Sequence, residues 1–229
     1  MQDKYSTNKE CQEASVVTRA AMYIDGFNLY HSIDDLKIPF LKWLDLVKLG
    51  NLIIPKATET LVKTVYCTAF HPGDSQKRWR HEQYLNALKV SGATTVFGHY
   101  IHEPKDCKAC GSEWRQPNEK ESDINLALSI FNDARMDVFD IAYLVTADSD
   151  QAATAKMLRE CFPEKKLVSV SPPGRNFSTH ILANASARIA LNRDHLERCL
   201  FSAIVFKEGE PAGRRPREYN PPPGWQPPA

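Results

Sequence analysis

Four aspartates, drawn from three separate stretches, carry the clearest chemistry in this chain. Asp25 stands in "YIDGFNLYHSI", Asp123 in "EKESDINLALSI", and Asp148 and Asp150 in "YLVTADSDQAATAKML". The apolar run 141–145 has strand character and delivers the last two acids to its own exit, where a helical stretch begins at once. Taken singly, an aspartate after a strand is often only the N-cap of the next helix, and one before glycine is often only a turn residue. Taken as a set meeting in one crevice, four acids repel one another and lose hydration, so they call for a cation. All-oxygen ligands suit Mg2+ or Mn2+ rather than Zn2+. Such an ion can lower the pKa of a bound water and steady the charge growing on a phosphodiester oxygen, which is phosphodiester hydrolysis.

For the acids to meet, the chain has to fold so that their positions share an edge. From Arg19 onward, apolar strand-like runs alternate with helical stretches. "AAMYIDGFNLYHSI" opens with a strand that breaks at Asp25-Gly26, and "LKWLDLVKLGNLI" reads as a helix with Leu41, Leu44, Val47 and Leu49 near one face. "LVKTVYCTAF" is a second strand and "DSQKRWRHEQYLNALKVSG" a helix, capped by Asp74 or Ser75 and stopped by Gly92. "ATTVFGHYIHE" is a third strand. The helix "SDINLALSIFNDARMD" follows a polar insertion, with Ile124, Leu126, Ala127, Leu128 and Phe131 as its expected buried stripe. "FDIAYLVTAD" is a fourth strand, "DQAATAKMLRECF" a helix, "KKLVSVSPPG" a fifth strand, and "STHILANASARIALNRDHLERCLF" one helix or two. The expectation is an α/β fold: a central parallel sheet of about five strands with helices on both faces. Asp25 then ends the first strand, Asp148 and Asp150 end the fourth, and Asp123 opens the helix leading into it. All four fall at the edge where such folds bind ligands.

The 229 residues suffice for one sizeable core. Residues 1–18 read as a flexible arm, 19–206 as the folded domain with a cysteine-containing insertion near 102–120, and 207–229 as a flexible Pro-rich tail, a candidate docking peptide for a protein partner. A formal net charge of +1 argues against a strongly basic nucleic-acid coat but leaves room for a local basic face. No apolar stretch approaches the ~20 residues of a membrane span, and the polar start has no secretory h-region. Six cysteines without an export signal point to reduced thiols and a cytoplasmic setting. Oligomeric state stays open.

In combination and in order, the three acidic motifs resemble those of the NYN domain family of PIN-like nucleases, over roughly residues 19–192. The resemblance implies a Rossmann-like three-layer sandwich, an acidic metal-binding crevice and ribonuclease activity on Mg2+ or Mn2+. It places Asp25, Asp123, Asp148 and Asp150 in the acidic positions, as ligands or general base. It puts Asn28 in the D-G-x-N turn, where its amide would hold a carboxylate or water. Thr146 and Ser149 would bind phosphate or orient Asp148. One departure stands out: where relatives commonly bring a further acid on the last helix, this chain has Asn184 and Ser186, which weakens the case for a second metal site.

A nuclease must also hold a polyanion. Lys77, Arg78, Arg80 and His81 lie within a turn and a half, with Trp79 among them, and Arg175 and Asn176 follow the fifth strand. Cations grip phosphates and an aromatic ring stacks a base. The bland alternative for the helix is a solvated basic face with Trp79 turned inward. In the insertion, Cys107-x-x-Cys110 is half of a zinc knuckle; His99 and His102, or His71, could complete a structural Zn2+ site, and otherwise the thiols are free. The leading expectation is an RNA endonuclease. The alternatives are a non-catalytic RNA-binding adaptor on the same fold, and a haloacid-dehalogenase-type phosphatase. The phosphatase needs a second Asp two residues after the first, where this chain has Phe27.

Overall fold

In the computed structural model, residues 17–228 are described, and the arm expected at 1–18 lies, but for its last two residues, outside them. Six strands form one all-parallel sheet: β1 (Thr18–Asp25), β2 (Glu59–Thr68), β3 (Thr94–Phe97), β6 (Ile141–Val145), β7 (Lys166–Ser171) and β8 (Ala187–Ala190). Between β3 and β6 the chain makes an antiparallel hairpin, β4 (His99–Asp106) and β5 (Glu113–Lys120). The sheet order is β3-β2-β1-β6-β7-β8. The connections therefore run outward in one direction through β2 and β3, then in the other through β7 and β8. The order reverses between β1 and β6, and the crevice above that reversal is where open α/β sheets hold ligands.

Alternation along the strands separates two cores. Met22 and Ile24 of β1, with Tyr143 and Val145 of β6, face one core. The helices α1 (Gly26–Asp35), α2 (Leu46–Ile53) and α3 (Ser75–Ser91) cover that side. Ala21, Tyr23, Ala142 and Leu144 face the other, beneath α4 (Ser122–Arg135), α5 (Ala152–Cys161) and the short α6 (Thr179–Leu182). Side chains of period two on a sheet clad on both faces make the three-layer sandwich. α7 (Arg193–Glu197) and a hairpin of β9 (Ile204–Lys207) and β10 (Glu210–Arg214) close the chain.

Several sequence expectations are corrected here. Gly98 divides the expected third strand; a Cβ there would stand 2.4 Å from the carbonyl oxygen of Lys120, so only glycine fits where the backbones cross. The expected helix over 41–53 is a 3-10 turn (Pro39–Lys42) followed by α2, which starts late because Asp45 caps it through the N–H groups of Val47 and Lys48. The sheet has a sixth strand, β8, within a stretch expected to be helical. On α4 the buried stripe is Leu126, Ile130 and Ala134, whereas Ile124 and Leu128 are each about three-fifths exposed. The Pro-rich segment expected to be flexible folds back instead. It forms β10 against α3, and Trp225 packs on Phe40 with ring centroids 5.1 Å apart.

Among the described residues no helix is long and apolar enough to cross a membrane.

Candidate active site

Asp25 ends β1 and caps α1. One carboxylate oxygen accepts from the N–H of Asn28 at 2.9 Å, and the other accepts from the hydroxyl of Thr146 at 2.9 Å. The carboxylate is buried, 5% exposed. Asp148 follows β6 and caps the turn 149–151, its oxygen accepting from the N–H of Asp150 at 3.0 Å. Its own N–H donates to Thr146 Oγ1 at 3.1 Å. Asp148 is a cap, as one expectation had it, and Asp25, for which the alternative was a turn, is a cap as well; capping does not compete with a ligand role. A carboxylate has about four acceptor sites, so capping fixes its direction while leaving acceptor capacity toward the crevice.

Polar side chains stitch the three acid-bearing segments together. Thr146 joins the β6 exit to Asp25. Asn28 Oδ1 accepts from the N–H of Ala147 at 3.0 Å, tying α1 to the same loop. Gln151, buried, donates through Nε2 to the Asp123 carbonyl at 3.1 Å and accepts from Thr154 Oγ1 at 2.9 Å, which anchors the first turn of α4. The Asn28 side-chain oxygen holds the backbone of Ala147, and Thr146, 1% exposed, holds Asp25 and positions Asp148 through its N–H rather than reaching a phosphate.

Asp25, Asp123 and Asp148 line one hollow of about 220 Å3. With them is an acid that the sequence did not single out, Glu119, which ends β5 and accepts from the Ser122 N–H at 2.9 Å to cap α4. Phe27, Asn28, His31 and Arg175 complete the wall. Asp150 is exposed and stands outside this lining, as do Ser149 and Asn176. Asn184 and Ser186 point elsewhere, bonded to the carbonyls of His180 and Leu167.

The electrostatics separate these acids from the chain's structural carboxylates. At the opposite edge of the sheet Asp140 is bound by Arg19 and held down at about 2, and Asp133 pairs with Lys63 at 2.7 Å. Among the described residues, Asp25, Glu119, Asp123, Asp148 and Asp150 have no such cation. Burial, and then the charge of Asp148, push Asp25 up against the hydrogen bonds that lower it. Asp123 is pushed up to about 6 by desolvation and by the charges of Asp25, Asp148, Glu119 and Asp150. Arg175 does not neutralise the group, being paired with Asp35 at 2.5 Å. Unscreened carboxylates in one hollow leave a divalent cation as the natural counter-charge. No three His, Cys, Asp or Glu side chains among the described residues form a ready set of direct ligands to one ion. An ion held here would take one or two of these carboxylates directly and keep its waters.

A second, larger cavity of about 400 Å3 adjoins the acid hollow, and Phe27 and His31 line both. Lys77, Arg78 and Arg80 of α3 line it, but Trp79 does not, its side chain being about half exposed on the outer side. The basic helix thus faces the candidate site while its tryptophan neither turns inward nor enters the cavity.

The cysteine pair lies at the tip of the β4–β5 hairpin, in a turn closed by Gly111 N–H to the Cys107 carbonyl. His102 sits mid-strand opposite Pro117, and His99 is at the hairpin base, paired with Glu121. At ~3.3 Å per strand residue, His102 lies roughly 16 Å from Cys107. His71 lines the larger cavity. The expected Cys107, Cys110, His99, His102 zinc set is therefore not assembled, because an extended strand carries its histidines away from the tip.

Comparison with known proteins agrees with the fold and the motifs. The chain is 27% identical to the 6-hydroxy-3-succinoylpyridine 3-monooxygenase HspA of Pseudomonas putida, over 86% of this chain and 73% of that protein. It resembles in fold the crystal structure of a protein of unknown function from Vibrio parahaemolyticus, with a TM-score of 0.55 and 18% identity, covering 81% of this chain and 97% of that one. The NYN domain model matches residues 19–190. With three quarters of its length matched and its acidic motifs gathered at the sheet's reversal point, the chain belongs to the NYN domain family, a PIN-like nuclease family.

Proposed function

We propose that the chain is a metal-dependent endoribonuclease that hydrolyses RNA phosphodiester bonds. The observation that carries this reading is the acid group of Asp25, Glu119, Asp123 and Asp148 in one hollow, with no ion pair among the described residues, whereas Asp140 and Asp133 are neutralised by Arg19 and Lys63. Thr146 binds the carboxylate of Asp25 and the backbone N–H of Asp148, and Asp123 lines the same hollow from α4. Mg2+ or Mn2+ bound there would supply charge neutralisation and an acidified water. Asp123, pushed up by desolvation and by its neighbouring carboxylates, would be held ionised by the bound ion and act as a ligand. Asp150, outside the hollow, serves as an outer acid that adds to the negative field. Lys77, with no ion pair among the described residues, lines the adjoining cavity and would receive the RNA, beside Arg78 and Arg80, which are paired with Glu82 and Glu218. The test is cleavage of single-stranded, hairpin and duplex RNA with Mg2+ or Mn2+ by wild type and Asp25→Asn. Loss of cleavage with retained fold supports the reading; equal activity overturns it.

A second reading follows from the monooxygenase relative. The aromatic lining of the larger cavity would also suit a pyridine ring. A monooxygenase consumes O2 and two electrons, so oxygen uptake with a hydroxypyridine acid and a reductant, and no RNA cleavage, is the result that would favour it.

A further inference from the structure

We infer that the 400 Å3 cavity beside the acid hollow is a nucleobase pocket, which seats one base of single-stranded RNA next to the phosphate to be cut and is walled on one side by Tyr219 of the Pro-rich segment. The inference rests on the ribonuclease reading and adds to it where affinity and base preference originate. An acid hollow repels a polyanion, so the substrate has to be held by neighbouring surface. The adjoining surface has the required chemistry. Tyr30, Tyr100 and Tyr219 line it with partly exposed rings on which a base stacks whatever its identity, over the buried Tyr66 and the half-buried Tyr84. Its volume falls within the range of small-ligand sites.

The polar groups are placed for a neutral base edge and an anionic backbone. Burial pushes His81 down to about 4, so its imidazole is neutral at pH 7 and offers a donor and an acceptor; Nε2 lies 3.4 Å from Thr68 Oγ1. Lys42 sits over the Tyr30 ring at 4.7 Å and near the Tyr219 ring at 5.8 Å, and pairs with Asp34 at 2.5 Å. Lys77 lines the cavity with no ion pair among the described residues. The wall from the Pro-rich segment is fixed in place by Arg80 to Glu218 at 3.1 Å and by Trp225 on Phe40. Phe27 and His31, common to both hollows, place a seated base beside the acids.

The test uses the full chain carrying Asp148→Asn, so that binding is read without cleavage. Fluorescence anisotropy compares a labelled single-stranded RNA with the same backbone made abasic. Tyr30→Ala and Tyr219→Ala are each expected to weaken the intact RNA by about tenfold, within the span of one stacked base, and to leave the abasic strand unchanged. Tyr30→Phe, which keeps the ring, should bind as the parent does. Thermal melts confirm the fold; Tyr30 is 44% exposed, so its truncation is tolerable. Equal weakening on both strands, or none on either, overturns the pocket. So does displacement by 6-hydroxy-3-succinoylpyridine with no RNA binding. If wild type fails to cut RNA while the base-dependent binding holds, the hydrolytic reading fails and the pocket stands.

Discussion

Replacing Thr146 by Val removes one hydroxyl and nothing else of size, and that hydroxyl serves two acids. It donates to the buried carboxylate of Asp25 at 2.9 Å and accepts from the N–H of Asp148 at 3.1 Å. A hydrogen bond to a charged group is worth roughly 1.5–3 kcal/mol. The bond lowers the Asp25 pKa against burial. Losing it should therefore raise that pKa further. Two effects should follow together. The melting temperature should fall, at about 2–4 °C per kcal/mol for a domain of this size. Mn2+ affinity near pH 7 should fall severalfold and recover as pH is raised, because the ion needs Asp25 ionised. The assay is thermal melting beside Mn2+ titration by electron paramagnetic resonance, with Thr146→Ser as the control that keeps the hydroxyl. A valine variant that melts and binds Mn2+ like wild type would refute the reasoning. A serine variant, which keeps the hydroxyl, as impaired as valine would show that the hydroxyl is not what sets the effect.

Four further outcomes are expected. Because Asp123 titrates about 6, it is about nine-tenths ionised at pH 7 and about one-tenth at pH 5, so Mn2+ should bind roughly tenfold more weakly at pH 5. Asp123→Asn should flatten that profile. The sign for the metal-free protein is opposite: a carboxyl whose folded pKa lies above its ordinary value, about 4, destabilises the native state once ionised. Stability should therefore decline between pH 4 and 6 and be restored by the ion, as melts across that range will show. Asp123 reaches solvent, so the decline is small beside the change in metal affinity. Gly26→Ala should cost at least about 1–3 kcal/mol in denaturant unfolding, since its Cβ would stand 2.4 Å from the Cys67 carbonyl oxygen. Trp225→Ala should speed proteolysis of the segment after residue 214 and cost about 1 kcal/mol or more, from the lost aromatic pair and its burial on Phe40.

The acids were legible because strand exits are legible. An apolar run of five residues ending in Asp148, and another ending at Asp25-Gly26, mark two ends of parallel strands, and parallel strands end on one edge. Glu119 was not legible, because its place depends on the register of the β4–β5 hairpin, which neither an Asn-Gly turn nor alternating apolar residues announce. The spacing of Glu119 to Ser122, an acid three residues before a helix start, was the available signal. Gln151 binds the Asp123 carbonyl across elements, which local pattern does not encode. The strand β8 has only four residues at the sheet edge and is mostly exposed, so it carries no apolar alternation. Ile124 and Leu128 were assigned to the core by their type, yet the stripe at 126, 130 and 134 is the one that meets β1 and β2. The tail was read by composition, and one aromatic contact overrides it.

The most direct measurement titrates Mn2+ into the full chain and follows ion binding and RNA cleavage in the same samples. Both should rise along one curve, and both should be lost in a folded Asp25→Asn protein. Cleavage that persists in a chelator, or ion binding that survives without Asp25 and Asp148, would contradict the claim that these carboxylates hold the ion that cuts.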